Sequence, residues 1–478
     1  MTRPTNRPLT VAALLLAMFM AAIEATVVGT AMPTVVADLG GLSMYGWVGS
    51  AYLLASTVTV PVYGKLADLY GRKPILLFAI VVFLLGSIGC GLAPSIGLLV
   101  AARALQGIGA GGMQPIALTV VGDLFTVAER GRIQGFFGAV WGISGILGPL
   151  AGGVLVRWSW RLVFLVNVPF GIASMLILAF ALHEAREKVV RPAIDWGGAI
   201  TLTLAAICVL LGAGGSTIAI AVAIVFVGAF VAVERRAKDP VLALDLVVRR
   251  PIAVGSLAGA LLGASMMATI LYVPLWVQGV LGRTPTEAGI TIAPMLVGWP
   301  IASTISGRLI PKLGFRTPVW VGSACIALSL GTFSMLLAPD TGLFTLRALM
   351  FAYGLGMGFV NTALIVAVQS SVQWKQRGVA TATTMFSRTI GGAIGVGALG
   401  ALLARRLGAE LPEDTVTALL DPHRRASVTA DPHVTELVAK GLTPVFLTAA
   451  AIAVVNLAVV AFWPREVASA EREAKAEL

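Results

Sequence analysis

The chain has 478 residues, of which 58% are hydrophobic and 12% charged, whereas soluble domains carry about 25% charged residues. This composition excludes an ordinary soluble protein and, with a mean hydropathy of +0.92, favours an integral protein of a lipid bilayer. The net charge of +11 would indicate nucleic acid in a soluble chain, but here the cations lie in loops beside apolar runs. We therefore expect no nucleic-acid partner.

Fourteen runs of the sequence are candidates for membrane spans, since a helix needs roughly 20 apolar residues to cross the hydrocarbon. An even count places both termini on one side, and Lys and Arg concentrate in the segments on that side, which makes it cytoplasmic. The sequence predicts an all-α, multi-pass protein of the plasma membrane (the inner membrane in a bacterium) with cytoplasmic termini. The runs are residues 9–36, 45–63, 75–93, 95–121, 132–156, 161–181, 197–212, 216–233, 252–277, 286–306, 318–338, 342–368, 379–403 and 441–463.

Two opposite charges stand out among the first six runs. Glu24 is the only carboxylate and Arg103 the only basic residue well inside them. An ionisable side chain inside a membrane span is a functional candidate by default, because its burial is costly. We expect the two charges to meet, directly or through water, and Glu24 to be a candidate proton carrier. The alternatives are a structural role for Arg103 and a Glu24 side chain that reaches the interface.

A short basic loop joins the second and third runs and contains Gly64, Asp68, Gly71 and Arg72. Its glycines allow two helix ends to approach closely, and Asp68 suits either a cation or a helix N-terminus. The alternative is a plain basic turn on the cytoplasmic side.

A Gly-Pro string lies in the fifth run. Gly-Pro inside a span frees a backbone carbonyl and kinks the helix, which requires a closely packed neighbour. Glycine-rich packing without further function is the alternative. The residues of the string are Gly145, Gly148, Pro149, Gly152 and Gly153.

The second part of the chain repeats the first. Matching residues recur at displacements from 241 (Pro33 to Pro274) to 247 (Arg130 to Arg377). Four matches in one register predict two repeated six-span halves, as in many transporters. We predict a first half at 1–182, an inserted pair of spans with its linkers at 183–250, a second half at 251–463 that includes an outer loop at 404–440, and a tail at 464–478.

These motifs resemble the signatures of the major facilitator superfamily and, within it, of the fourteen-span drug:proton antiporter family. The loop string from Gly64 to Lys73 resembles the superfamily's loop signature, and the fifth-run string resembles its antiporter signature. The inserted spans, the turn that begins at Trp160 and the string around Arg388 resemble the fourteen-span branch. The resemblance implies a major facilitator fold and proton-coupled export by alternating access, with the proton as coupling ion, no cofactor and a functional monomer.

The resemblance also implies roles for single residues. Arg103 would take part in proton coupling with Glu24. Asp123, at the end of the fourth run, would join Asp68 and Arg72 in a charge network, although a solvated helix end is the alternative. We expect the loop to govern switching between inward- and outward-open states, with Asp68 in contact with the N-terminus of the thirteenth span near Gly378.

We expect the small-molecule substrate to lie at the membrane midplane between the two halves. Aromatic and Met side chains suit varied apolar or cationic ligands, although the same residues could serve as packing. The cargo is open between drugs or other amphipathic and cationic molecules and one endogenous solute, such as a lipid, siderophore or amino acid. The candidate contacts, besides Glu24, are Gln106, Met113, Tyr272, Trp276, Tyr353, Met357 and Asn361.

Other chemistry is not indicated. The three cysteines lie far apart inside apolar runs, and the chain has no Walker loop, no Ser/His/Asp set and no zinc spacing. We therefore expect no enzyme activity, no catalytic residue and no metal site.

Overall fold

A computed structural model describes residues 4–40, 44–184, 195–213, 216–237, 240–242, 244–338, 341–407 and 432–464. Over these ranges the regular structure is helical, without strands. The helices are α1 (Arg7–Leu39), α2 (Tyr45–Tyr70), α3 (Arg72–Gly91), α4 (Ile96–Leu124), α5 (Val127–Val156), α6 (Leu162–Leu165), α7 (Asn167–Ala181), α8 (Trp196–Ala213), α9 (Thr217–Glu234), α10 (Leu244–Val247), α11 (Arg250–Gly279), α12 (Pro285–Leu313), α13 (Arg316–Met335), α14 (Leu343–Ser370), α15 (Arg377–Leu407) and α16 (Pro432–Ala461). A short 3-10 helix, Trp374–Gln376, precedes α15.

Every predicted span lies on a helix, and the sixth is divided between α6 and α7. Within the described residues, twelve helices are long and apolar enough to cross a membrane. The bent α5, with 44° between Val127–Gly145 and Leu150–Val156, brings the number to thirteen. This bend occurs at the predicted Gly-Pro string. The prediction of an all-α, multi-pass membrane protein is confirmed. The number of helices that are long and apolar enough to cross a membrane is one short of the predicted fourteen, because α2 is not among them.

Local sequence signals set where helices begin. The side chain of Asn6 accepts a hydrogen bond from the N–H of Leu9 (3.2 Å) at the start of α1. At the start of α12, Thr284 Oγ1 accepts from the N–H of Glu287 (3.2 Å), and the Glu287 carboxylate accepts from the N–H of Thr284 (3.1 Å). This reciprocal capping box satisfies two backbone donors that the helix itself leaves unpaired.

The two predicted halves have the same internal contacts. In the first half α4 packs against α2 and α3, and α1 packs against α5 and α7. In the second half α14 packs against α12 and α13, and α11 packs against α15 and α16. These are the contacts that two repeated halves would make, although the residue boundaries of the halves stay a prediction.

The halves meet along two seams. One seam is formed by α2 and α15, and the other by α5 and α12. The inserted helix α8 packs on both α2 and α15, with α9 packed behind it. The inserted pair therefore covers one seam.

Two helices extend beyond their predicted ends. The helix α15 continues to Leu407, and α16 begins at Pro432, so the loop predicted at 404–440 is shorter than expected. Arg405 and Arg406 lie in the last turn of α15, where cations are favoured by the helix dipole. The remainder of the predicted loop, at 408–431, and nearly all of the predicted tail lie outside the described residues.

Candidate functional site

Glu24 on α1 is fully buried and receives two side-chain donors. Arg103 on α4 forms an ion pair with its Oε1 atom, and the amide of Asn167 on α7 donates to its Oε2 atom. The predicted meeting of Glu24 and Arg103 is confirmed. Three helices thus converge on one carboxylate in the interior of the first half.

The guanidinium of Arg103 is held by several groups in addition to Glu24. Its Nε donates to the carbonyl of Val48 (3.0 Å), and its Nη1 donates to the Oε1 of Gln106 (2.7 Å). It also lies 4.3 Å from the centroid of the Tyr52 ring, a distance at which a cation is attracted to the ring face. These contacts compensate part of the cost of burying the charge.

Further polar residues hydrogen-bond to the partners of Glu24. Ser87 Oγ on α3 accepts from the amides of Gln106 and Asn167, both at 3.1 Å, and donates to the carbonyl of Phe164 (2.8 Å). Gln106, expected in the substrate cavity, makes its hydrogen bonds within the first half. We name the set Glu24, Ser87, Arg103, Gln106 and Asn167 the buried cluster.

Ser87 and Asn167 were not among the site residues predicted from the sequence. Asn167 lies in the stretch after Trp160 that served only to indicate the family branch. A carboxamide inside an apolar run was the available signal, because a buried amide requires hydrogen-bonding partners. Ser87 offered no such signal, since a serine in a span can bond to its own helix.

A second charge cluster joins the halves at the end of the molecule where the basic loop lies. The carboxylate of Asp68 accepts from the backbone N–H groups of Gly378 (3.0 Å) and Val379 (2.8 Å) at the start of α15. The predicted contact between Asp68 and the N-terminus of the thirteenth span is confirmed. The geometry is favourable because unpaired N–H groups and the helix dipole attract an anion there.

Arg72 links this contact to other residues. Its Nη2 donates to Asp68 (2.8 Å) and to the carbonyl of Trp374 (2.7 Å), and its guanidinium lies 3.9 Å from the Trp374 ring centroid. Asp123 forms ion pairs with Arg72 (3.0 Å) and with Arg377 (3.2 Å). The predicted grouping of Asp68, Arg72 and Asp123 is confirmed. We name these three residues and Arg377 the loop-end network.

Two glycine pairs bring helices of opposite halves into backbone contact. A Cβ added to Gly64 would lie 2.8 Å from the carbonyl oxygen of Gly378, and one added to Gly131 would overlap the backbone of Gly307. Gly307 is the repeat partner of Gly64, and Gly378 that of Gly131. The two crossings are therefore related by the repeat and close both seams at the loop end.

Gly71 has a different role, because its φ of +94° lies in the left-handed region that favours glycine. The following N–H groups, of Arg72 and Lys73, donate to the carboxylate of Glu184 at 3.0 and 3.1 Å. The turn is thus anchored to the end of the first half.

The fifth-run string divides between two neighbours. A Cβ on Gly148 or Gly152 would overlap Thr26 or Thr30 of α1, and Thr26 Oγ1 donates to the carbonyl of Ser144 (2.9 Å). Gly145 faces Leu296 of α12, and a Cβ on Gly153 would meet nothing within 4 Å. The side chain of Pro149 lies outside the described residues. The string therefore holds α5 against the helix that carries Glu24.

Most of the predicted cavity residues are packed in the core in this conformation. Tyr272 Oη donates to the carbonyl of Val396 (3.3 Å), and Tyr353 Oη lies 3.1 Å from Ser265 Oγ. The fully or nearly fully buried residues of the set are Gln106, Met113, Tyr272, Trp276, Tyr353 and Met357.

Asn361 on α14 is the exception. It is half-buried, lines a cavity, and accepts a hydrogen bond from Arg388 of α15 (2.7 Å).

The fold and the two clusters define a class of protein: a multi-pass membrane transporter with two helical halves that are joined at one end. The chain belongs to the Major Facilitator Superfamily, whose sequence profile matches residues 14–396. The Multidrug transporter protein MdtP of Bacillus subtilis is 37% identical over 431 residues, covering 87% of this chain and 79% of that protein. Multidrug resistance protein 3 of the same organism is 37% identical over 401 residues, covering 81% of this chain and 78% of the relative.

Solved structures support the fold. The human organic anion transporter MFSD10 superposes with a TM-score of 0.67 at 14% sequence identity, covering 96% of this chain and 100% of that structure. At this identity the likeness concerns the fold alone.

Proposed function

We propose that the protein is a proton-coupled secondary active transporter that exports drugs or other amphipathic small molecules, cations included, by alternating access. The observation that carries the proposal is the fully buried Glu24 paired with Arg103. The names of the relatives, both multidrug proteins at 37% identity, support export of drugs. The proposed setting is the inner membrane of a bacterium with both termini in the cytoplasm. There the protein acts as a monomer, with no cofactor besides the coupling proton.

The buried cluster supplies a route from protonation to helix movement. Charged Glu24 accepts from Arg103 and Asn167. A proton on Glu24 removes the ion pair and leaves Arg103 with Gln106 and the carbonyl of Val48. Because Glu24 lies on α1, Arg103 on α4 and Asn167 on α7, loss of the charge on Glu24 alters the contact of α1 with α4 and α7.

One proton carries enough free energy for useful export. A proton that crosses 100 mV yields about 2.3 kcal/mol. At 1.4 kcal/mol per tenfold change this supports a gradient of roughly fortyfold for a neutral solute.

The loop-end network and the neighbouring glycine crossings supply the proposed gate. We assign switching to Gly64, Asp68, Gly71, Arg72 and Asp123. An inward-open state requires the bonds from Asp68 to α15 and the ion pair of Asp123 with Arg377 to break together, since they join opposite halves. The glycine crossings let the helices close again without steric conflict.

Substrate-induced proton release from purified protein in detergent tests the coupling role. With a cationic dye as substrate, Glu24→Gln should release fewer protons than the unmodified protein and lose proton-driven efflux in proteoliposomes, because glutamine mimics the protonated carboxyl. Dye exchange at equal concentrations should persist.

Asp38→Asn is the matched control. Asp38 lies near the end of the same helix in an exposed pair with Arg161 (3.1 Å), so its loss should leave proton release unchanged. If Glu24→Gln releases as many protons as the unmodified protein, Glu24 is not the carrier. In the same vesicles, efflux of several unrelated dyes supports drug export, whereas accumulation of one cell metabolite alone supports a dedicated carrier.

A further inference from the structure

Arg388 on α15 is a cation in the second half that the proposed coupling and gating do not use. Its Nη1 donates to the Oδ1 of Asn361 (2.7 Å). Among the described residues, this is its one hydrogen bond, and no carboxylate lies within ion-pair distance of it. Asn361 provides a dipole but no negative charge.

The guanidinium groups of the buried cluster and of the loop-end network have carboxylate partners. Arg103 pairs with Glu24, whereas Arg72 and Arg377 pair with Asp123. A cation without an anion is costly inside a membrane protein. The free energy therefore favours any bound molecule that brings a negative charge to Arg388.

The space beside Arg388 has a volume of about 10 Å³, about enough for one water molecule, so a larger molecule can enter only when the surrounding helices separate. The cavity lies between α11, α14 and α15, and its apolar wall includes Leu262, Leu364 and Ile365. Gly263 lets α11 lie directly against the backbone of Arg388, because a Cβ there would overlap the Arg388 carbonyl oxygen. Gly259 packs beside Thr384 and Arg388.

The cavity also lies beside the interface between the halves. Its lining residues Ile365 and Met385 belong to the second half, yet both pack in the hydrophobic core of the first half. A molecule bound there would touch the surface along which the halves move.

We propose that Arg388 and Asn361 form a subsite for the carboxylate of an amphipathic organic anion, whose apolar body contacts the wall of the cavity. Guanidinium carries five N–H donors in a planar fork that matches a carboxylate, and only one of these donors is engaged by Asn361. The amide nitrogen of Asn361, opposite the oxygen that faces Arg388, adds a further donor. This inference rests on the proposed export function and names one class of cargo within it, an amphipathic molecule with a negatively charged carboxylate.

The test uses a matched pair of fluorescent dyes, a xanthene with a free carboxylate and its neutral methyl ester. Fluorescence polarisation in detergent gives the dissociation constants, and proteoliposomes give efflux. Arg388→Gln should weaken binding of the carboxylate dye about tenfold or more, as expected for a lost charge-assisted hydrogen bond. The ester should change by less than about twofold on the same scale. Arg388→Lys keeps the charge but not the planar fork of donors, so its dissociation constant for the carboxylate dye should lie between those of the unmodified protein and of Arg388→Gln.

Arg347→Gln is the control for loss of a cation from the second half. Arg347 lies on α14, fourteen residues before Asn361, which is about 21 Å along a helix, and its loss should leave both dyes unaffected. Equal losses for both dyes in Arg388→Gln and Arg388→Lys would show that Arg388 is structural and overturn the proposal. Unchanged binding of the carboxylate dye would overturn it as well. Binding without efflux in the unmodified protein would contradict the export function while the dissociation constants still decide the subsite.

Discussion

Buried charges in this protein are arranged so that each carboxylate has more than one donor. Glu24 receives Arg103 and Asn167, and Asp68 receives two backbone N–H groups together with Arg72. A carboxylate in low dielectric is stable in its charged form only with several donors. Removing one donor should therefore alter function without removing the charge itself.

At the residue scale, the sequence predicted pairs better than clusters. Glu24 and Arg103 could be paired because no other ionisable residues compete for them in the first six spans. Ser87 could not be placed, because a hydroxyl in a span can bond to the backbone of its own helix, and the amide of Asn167 indicated a need for partners but not which residues supply them. The expected cavity role of Gln106 arose from its helix alone, and the rotation of α4 that directs it toward Ser87 depends on packing.

Asn167 should support the charged form of Glu24. In Asn167→Ala the carboxylate loses a donor, and hydrogen bonds to charged groups contribute about 1.5–3 kcal/mol. We expect substrate-induced proton release at fixed pH to fall, while folding measured by size-exclusion chromatography is retained. Asn456→Ala removes a similarly buried amide in the second half and should leave release unchanged. Equal proton release from both variants would contradict the role of Asn167.

At the scale of helices, small residues decide how closely neighbours pack. Gly148 and Gly152 hold α5 against Thr26 and Thr30 of α1, whereas Gly131 meets Gly307 across the α5–α12 seam. The repeat in the sequence predicted that such positions correspond between the halves. It did not predict which glycines face each other, because that depends on how the two halves are oriented.

The Gly131–Gly307 crossing should set how well the loop end closes. Gly131→Leu places a side chain where the backbone of Gly307 lies, so the helices must separate and the inward-open population should rise. Spin labels on α5 and α12 in a cysteine-free background would report the increase as a longer distance at the loop end. A Cβ added at Gly153 on the same helix would meet no atom within 4 Å, so Gly153→Leu should leave the distance unchanged. An unaltered distance in Gly131→Leu would show that this crossing does not limit closure.

At the scale of the whole molecule, the two seams are related by the repeat but differ in charge. The α2–α15 seam carries Asp68 and Arg72, whereas the position that corresponds to Asp68 on the other seam is Pro311. Composition and the repeat were sufficient to predict the halves. They could not predict the position of the inserted pair, since α8 and α9 have no counterpart in the other half. The structure places this pair over the charged seam.

The inserted pair closes over this seam through an apolar cluster at the loop end. Leu202 of α8 and Phe230 of α9 pack with Val379 of α15, and Val62 of α2 packs against them. Val241 and Leu242 complete the cluster. Their N–H groups donate to the buried carboxylate of Glu234, both at 3.1 Å. Glu234 thus ties the segment after α9 to the seam.

Loss of this tether should loosen the charged seam while the other seam is unchanged. In Glu234→Ala the N–H groups of Val241 and Leu242 lose their acceptor, so both side chains should leave the cluster. Glu234→Gln keeps an oxygen acceptor and should behave like the unmodified protein. Hydrogen exchange at the start of α15 is the measurement, because Gly378 and Val379 donate to Asp68 only while the seam is closed. We expect faster exchange there in Glu234→Ala, with unchanged exchange at the start of α5. Faster exchange at both places would indicate general destabilisation, and no change at α15 would show that the inserted pair does not stabilise the closed seam.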